Sequence, residues 1–316
     1  MTINKNLGIA VVNGGSSAEA EVSRISARGV IAALEENYEQ VYNLELNTGI
    51  AKALADCRAE VVFPVVHGPP GEDGTLQGFL EIMGLPYVGS DVHASSAAMD
   101  KIIAKHIFRE RDLPLARQVV VHRKQGVPTA VEHIGKQLGH QVVVKPARQG
   151  SALGVSLTSN ANQLHEAVEA AFYLDEHLLI EQRITGKEIT VGVLDTDTGS
   201  EPFPVIEIIT PENTWYDYKH RYTQGLSEHI MPAALSPEQT QRLKAIAVAA
   251  HEALGCRDLS RADFVVPDDT EEVLLEVNTM PGMTPTSLYP EGAGGYGLSF
   301  AELVSYLIER AYNRTS

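Results

Sequence analysis

The stretch Arg261-Ala-Asp263-Phe-Val-Val-Pro-Asp-Asp-Thr-Glu-Glu-Val-Leu-Leu-Glu276-Val-Asn278-Thr-Met-Pro281-Gly282-Met concentrates residue types that can do chemistry. Two apolar runs flank a polar, turn-rich segment centred on 268–271, the pattern of a β-hairpin. With a four-residue loop, Pro267 faces Glu272, and counting back sets Asp263 opposite Glu276. Side chains alternate faces along a strand, so Glu276 and Asn278 share one face. Asp263, Glu276 and Asn278 then converge as three hard oxygen donors. Such a set suits Mg²⁺ held jointly with substrate phosphates. A nucleotide site is one reading of the hairpin. A surface hairpin with solvated acids is the other, and the hairpin alone does not separate them.

Other segments carry similar pairs of readings. Lys145 ends an apolar strand just before the loop Gly150-Ser151-Ala-Leu-Gly154. A lysine there can meet a phosphate while glycine-flanked N–H groups approach the anion, or it can snorkel from a sheet edge. No Gly-Lys-Ser/Thr follows, so the loop is not a Walker A sequence. The segment Leu179-Ile-Glu181-Gln182-Arg-Ile184 can offer backbone to an adenine edge, with Glu188 near enough in sequence for a ribose hydroxyl; a charged strand end explains it equally. Glu19 and Ser23 follow the Gly14-Gly15 turn at a helix start, where capping is the first expectation. His67 follows a buried strand next to Gly68, either at the core edge or facing an anion in a cleft. The run Tyr216-Asp217-Tyr218-Lys-His-Arg221-Tyr222 is aromatic and basic in a long polar loop, the composition of a lid in which Arg221 can hold a carboxylate. No histidine pair has zinc spacing, and no Gly-x-Ser-x-Gly elbow occurs.

These residues need elements to position them. Residues 7–12 and 61–66 read as buried strands ending at Gly14-Gly15 and at His67-Gly68, with helices after each. That alternation predicts an open parallel α/β sheet over the first 95 or so residues, with ligands beyond the strand ends. Residues 95–111 read as one helix closed by Pro114. Strands at 141–145, 155–157, 178–182 and 189–194, with a helix at 161–171, form an α+β unit of antiparallel strands. A strand at 204–209, a polar loop from 210 to about 229, a helix at 237–254, the hairpin and a helix at 300–310 complete the chain.

Composition bounds the function. The chain has 316 residues, enough for two or three domains. Its net charge of −16 argues against a nucleic-acid backbone partner and requires local lysines and arginines for any polyphosphate. Cys57 and Cys256 lie far apart and form no CxxC, which fits a reducing cytoplasm. No apolar run reaches the roughly 20 residues that span a bilayer, and the polar N-terminus does not read as a signal peptide.

Taken together, the segments resemble the D-alanine–D-alanine ligases of the ATP-grasp superfamily, from Gly14 to about Leu303. The carriers are Gly14-Gly-Ser-Ser-Ala-Glu-Ala-Glu-Val-Ser23, His67-Gly…Gly71-Glu-Asp-Gly74-Thr-Leu-Gln-Gly78, Met83-Gly-Leu-Pro-Tyr-Val-Gly-Ser90, Met99-Asp-Lys101, Lys145-Pro…Gly150-Ser151, Tyr216-Asp-Tyr…Arg221-Tyr222, and Glu276-Val-Asn-Thr-Met-Pro-Gly-Met-Thr284-Pro-Thr-Ser287-Leu288. Each motif is modest alone; their order and spacing are specific. The resemblance implies an ATP-grasp architecture in three units, 1–95, 96–184 and 185–316. It implies ATP, Mg²⁺ or Mn²⁺ (two ions), a homodimer, and a cytoplasmic role in peptidoglycan precursor synthesis.

The resemblance also assigns roles. ATP phosphorylates the carboxylate of one D-alanine, and the amine of a second attacks the acyl phosphate. Lys101 and Lys145 match phosphate-binding lysines. Glu181, Gln182 and Ile184 match the adenine pocket, and Glu188 the ribose contact. Glu19 matches the anchor of the first ammonium, and His67 a substrate contact. Ser151 and Tyr222 match hydroxyls linked to Glu19, while Arg261 and the Gly282 N–H match oxyanion donors. Arg221, Ser287 and Leu288 match the second substrate's site, and Asp263, Glu276 and Asn278 the metal ligands. The chain departs from the family at Gln182, where lysine is common, at Gln149 and Ala152, and at Pro69-Pro70, which should stiffen the His-Gly loop. Arg221 replaces a lysine, with different geometry at a carboxylate. Tyr222 is retained, which favours an amine acceptor. Two other readings follow: an ATP-grasp ligase of other amino acids outside wall synthesis, and a catalytically silent nucleotide-binding regulator.

Overall fold

The structure is a computed structural model that describes residues 4–211, 220–221, 223, 225–268, 271–284 and 286–314. β1 (Gly8–Asn13) is buried at every position, as befits a strand covered on both faces. It lies between β2 (Gln40–Glu45) and β3 (Val61–Pro64), and both pairings are parallel. α1 (Ala20–Glu35), α2 (Ile50–Asp56) and α3 (Thr75–Ile82) alternate with these strands, giving the open parallel sheet expected of the first 95 residues. Both glycine-rich turns follow the carboxyl ends of β1 and β3.

Residues 95–111 are not one helix. α4 (Val92–Met99) stops at Asp100, whose backbone is extended, and α5 (Lys101–Arg109) starts from it. The Asp100 carboxylate accepts from the N–H groups of Ile102 (3.0 Å) and Ile103 (3.2 Å), an N-cap in mid-pattern. Apolar residues continue across the break, so periodicity reads straight through it. The restart puts Lys101 in the first turn of a new helix, with its N–H donating to Ala147 O at 2.9 Å.

A second sheet is antiparallel throughout, in the order β4-β7-β5-β6. Its strands are β4 (Gln118–His122), β5 (Val142–Pro146), β6 (Ser156–Leu157) and β7 (His177–Gln182). α6 (Val127–Leu138) and α7 (Ala161–Leu174) share its core through Ile134, Leu164 and Val168.

The third sheet runs β11-β10-β8-β12-β13, with β9 beside β8. Its strands are β8 (Lys187–Thr196), β9 (Gly199–Pro202), β10 (Ile206–Ile209), β11 (Glu228–Ile230), β12 (Leu259–Val266) and β13 (Val273–Asn278). The expected polar loop after 210 thus ends in a short strand. α8 (Pro237–Leu254) starts on a Ser236–Gln239 capping box and shares this sheet's core with Ala104 and Phe108 of α5. α9 (Leu288–Tyr296) follows β13. α10 (Phe300–Asn313) returns to the first sheet, where Leu303, Val304, Leu307 and Ile308 join Ile9, Val11 and Phe63 in one core. Among the described residues, no helix is long and apolar enough to cross a membrane.

The hairpin register carries the site. Asp263 pairs with Glu276 and Arg261 with Asn278, as counted from the sequence. The pairing then shifts, with Phe264 opposite Leu274 and Val265 opposite Val273. Leu275 is the extra residue of a β-bulge, which re-aims the strand beside Glu276. Residues 269–270 of the expected loop lie outside the described residues.

Candidate active site

Two cavities meet between the sheets. One, of about 1040 Å³, is lined by Lys145 on β5, Glu181 and Gln182 at the end of β7, Ile184, Glu188 on β8, and Asp263 and Glu276 on the hairpin. Val143, Leu157, Ile208, Phe264 and Leu275 give it apolar walls, the character of a pocket for a flat ring. At its back the Glu181 carboxylate lies between two ammonium groups, Lys105 Nζ at 2.8 Å from Oε1 and Lys145 Nζ at 2.5 Å from Oε2. Burial would raise the Glu181 carboxyl, but the two lysine charges outweigh it and hold it at about 2. The same pairing raises Lys145, against the effect of its burial.

The second cleft, of about 890 Å³, is lined by Glu19, His67, Lys101, Ser151, Arg221, Arg261, Glu276, Asn278, Gly282, Ser287 and Leu288. Glu19 makes no side-chain cap bond to α1, contrary to the capping expectation. Its Oε1 accepts from the Ser151 hydroxyl, which ties the first sheet to the loop after β5. Ser23 does not cap either; its Oγ accepts from Gly14 N–H at 2.8 Å and fixes the turn after β1. Two glycines make room for Glu19. A Cβ on Gly68, where φ is +67°, would stand 2.8 Å from Glu19 Oε2, and one on Gly150 would stand 3.0 Å away.

His67 Nε2 lies 3.2 Å from Ser26 Oγ. Burial pulls its imidazole below the ordinary value, although Glu19 pulls the other way. Glu72 also lines this cleft, accepting from Gly68 N–H at 2.5 Å. Burial, reinforced by the Glu19 charge, pushes the Glu72 carboxyl up to about 8. Pro69 lines a smaller recess beside Glu19, with Gln149 and Leu153.

Across the cleft, Arg261 grips Asp263 with two parallel bonds, Nε to Oδ1 at 2.9 Å and Nη2 to Oδ2 at 2.8 Å. Thr190 Oγ1 donates to Oδ1 at 2.7 Å and Asn278 Nδ2 to Oδ2 at 3.1 Å. Burial opposes ionisation of Asp263, but Arg261 overcomes it and lowers the carboxyl. Glu276 is likewise lowered against its burial, by Lys101 and Arg221. Lys101 Nζ donates to Gln149 O at 2.6 Å and lies 3.7 Å from Glu276 Oε2. Ser287 Oγ, 2.7 Å from Thr284 Oγ1, stands just before α9.

Among the described residues no three His, Cys, Asp or Glu side chains form a metal-holding group. The hairpin instead offers the Glu276 carboxylate and an amide whose nitrogen is already engaged, leaving its oxygen as the acceptor end, while Asp263, which takes four bonds from Arg261, Thr190 and Asn278, would exchange one of them for a metal. That donor set fits Mg²⁺, which takes one or two carboxylates and completes its shell with water and phosphate rather than a full protein cage.

Every described candidate residue lines one cavity or the other, and Lys101, Arg221 and Glu276 line both. Tyr222 and residues 216–218 lie outside the described residues. Sequence reading missed Glu72, Lys105 and Thr190. Lys105 left one signal, a lysine between Ala104 and Phe108 on the face of α5 that packs inward.

A parallel α/β sheet followed by two antiparallel α+β units, closing on a ring-sized cavity beside a carboxylate hairpin, defines the ATP-grasp class. Within it, the chain belongs to the D-alanine–D-alanine ligase family. Residues 107–309 match the family described as D-ala D-ala ligase C-terminus, and residues 43–90 match the D-ala D-ala ligase N-terminus. The D-alanine–D-alanine ligase of Halalkalibacterium halodurans is 42% identical over 95% of this chain and 97% of its own length. The crystal structure of the Bacillus anthracis D-alanine–D-alanine ligase complexed with ATP aligns with a TM-score of 0.83 and 29% identity, over 98% of each chain. The VanG D-Ala:D-Ser ligase of Enterococcus faecalis aligns with a TM-score of 0.82 and 31% identity, over 97% of this chain and 99% of its own.

Proposed function

We propose that this protein joins two D-alanine molecules with ATP, supplying dipeptide for peptidoglycan in the cytoplasm. One observation carries the reading: a ring-sized cavity and a polar cleft lined by both acids and cations share Lys101, Arg221 and Glu276 at their junction. A triphosphate reaching out of the first cavity delivers its terminal phosphoryl group at that junction, where a carboxylate held in the second can receive it.

Glu181, Gln182 and Ile184 hold the base, Glu188 the ribose, and Lys145 and Lys101 the phosphates. Asp263, Glu276 and Asn278 would hold a divalent cation, which would supply charge neutralisation to the transferring phosphoryl group. Glu19, backed by Ser151 and Tyr222, anchors the ammonium of the first D-alanine beside His67. Its carboxylate oxygen takes the γ-phosphoryl group, and ADP leaves. Arg221, Ser287 and Leu288 hold the second D-alanine by its carboxylate, so that its amine attacks the acyl carbon. Arg261 and the Gly282 N–H receive the charge that develops on the acyl oxygen. Collapse of the tetrahedral intermediate expels phosphate and leaves the amide bond. The units 1–95, 96–184 and 185–316 each contribute residues to these groups, and the protein works as a homodimer.

Phosphate release from Mg-ATP across a panel of D- and L-amino acids, with mass analysis of products, tests the reading. Release that depends on D-alanine and yields the alanyl-alanine mass is expected. Release with another pair, such as D-alanine and D-serine, would move the acceptor; no release with any pair would leave a nucleotide binder.

A further inference from the structure

Lys105 lines neither cavity, yet it is among the largest fully buried side chains of the protein. Lysine is almost never fully buried unless paired. One of its three N–H bonds makes a hydrogen bond, and an ion pair adds a second contact. Nζ donates to Leu274 O at 2.8 Å and lies 2.8 Å from Glu181 Oε1. It therefore stitches β7, which carries Glu181, to β13, just ahead of the bulged Leu275 and Glu276.

We propose that Lys105 is a positioning residue that sets the base preference of the nucleotide cavity, by fixing the orientation of the Glu181 carboxylate. The inference rests on the reading of that cavity as an ATP site. The last torsion of a glutamate is broad and roughly two-fold, so a lone carboxylate turns easily. Here each oxygen has its own ammonium, Oε1 from α5 and Oε2 from β5, and the group cannot turn without breaking one pair. Doubly paired, it stays ionised and is an acceptor only. An acceptor-only edge suits a base that presents an amino donor. Adenine carries N6–H₂ where guanine carries the acceptor O6, and the base of inosine triphosphate carries the same oxygen at that position. Without Lys105, Oε1 loses its partner, and the carboxylate can turn away or take up a proton and donate.

The test compares ATP with ITP, each with Mg²⁺, by thermal-shift titration without amino acid and by the KM and kcat of phosphate release with D-alanine. The proteins are wild type, Lys105→Met, Glu181→Gln and the double variant. Wild type should bind ATP at least about tenfold tighter than ITP, since a misplaced acceptor faces a buried carboxylate. Lys105→Met should weaken ATP by about tenfold and ITP far less, raising KM for ATP with kcat within about threefold. In the Glu181→Gln background, losing Lys105 should leave the ATP-to-ITP ratio unchanged, because its effect runs through the carboxylate.

Equal binding of both nucleotides by wild type would overturn the proposal. So would a folded Lys105→Met with the wild-type ratio, or one that weakens both nucleotides alike. Should Lys105→Met fail to fold, the double variant lacks the stranded carboxylate and carries the comparison with Glu181→Gln. Matching ratios there uphold the proposal, and differing ratios overturn it. The binding arm reads base preference even if no amino-acid pair supports turnover, so failure of the ligase reading and failure of this inference are distinguishable.

Discussion

The two cavities differ in how their charges are arranged. In the cavity proposed for the nucleotide the Glu181 carboxylate is matched by lysines, and its framework is strand: β5, β7, β8 and the β12–β13 hairpin. In the cleft proposed for the amino acids, Glu19 and Glu72 lie close enough for one to raise the other, and much of the wall is loop. One site is built for a ligand whose shape does not change between turnovers. The other sets Glu19, Glu72 and Glu276 against Lys101, Arg221 and Arg261, and its walls come from all three sheets.

The largest expected effect lies at the junction. Glu276→Ala should lower phosphate release by about 10³-fold or more, since positioning and charge stabilisation carry phosphoryl transfer. The variant should stay folded, with a melting temperature within a few degrees of wild type; turnover near wild type would remove Glu276 from the metal set. Arg221→Ala sharpens the contrast, because Arg221 lines both cavities. KM for the second D-alanine should rise about tenfold with a smaller change in KM for ATP, the loss of roughly one charged contact. Equal changes in both would erase the division between the sites.

A third prediction, on stability rather than turnover, concerns Glu72 in the ligand-free protein. Its carboxyl is raised to about 8 in the fold, against roughly 4.3 unfolded. Between those values the folded state binds more protons than the unfolded one, so stability falls as pH rises through that window. Glu72→Gln should remove this slope. Denaturant melts at pH 5 and pH 8 should show the variant gaining on wild type at the higher pH, and parallel behaviour at both would sink the assignment.

How much was legible in sequence follows the same division. The pairing of Asp263 with Glu276 was countable because alternation along two strands fixes faces, and the bulge at Leu275 took up the discrepancy at the loop end. β2 was not read, being an edge strand with every residue at least partly exposed and so little apolar signal. The break at Asp100 was invisible to periodicity, because α4 and α5 keep apolar residues on both sides of it. Glu72 and Lys105 escaped for a further reason. Their importance comes from partners far along the chain, Lys105 meeting Glu181 and Leu274, and no local spacing encodes that. Glu19 reads locally as a cap; its role in the cleft was an implication of the resemblance, not of local spacing, and Ser151 approaches it there from the loop after β5.

The return of α10 to the first sheet has a consequence for biosynthesis. Ile9 and Val11 are made well before Leu303, Val304, Leu307 and Ile308, which share their core. At ribosomal speeds of about 5–20 residues per second, that hydrophobic face stays bare for roughly fifteen seconds to a minute. Until those later residues emerge, the first sheet lacks one of its covering helices.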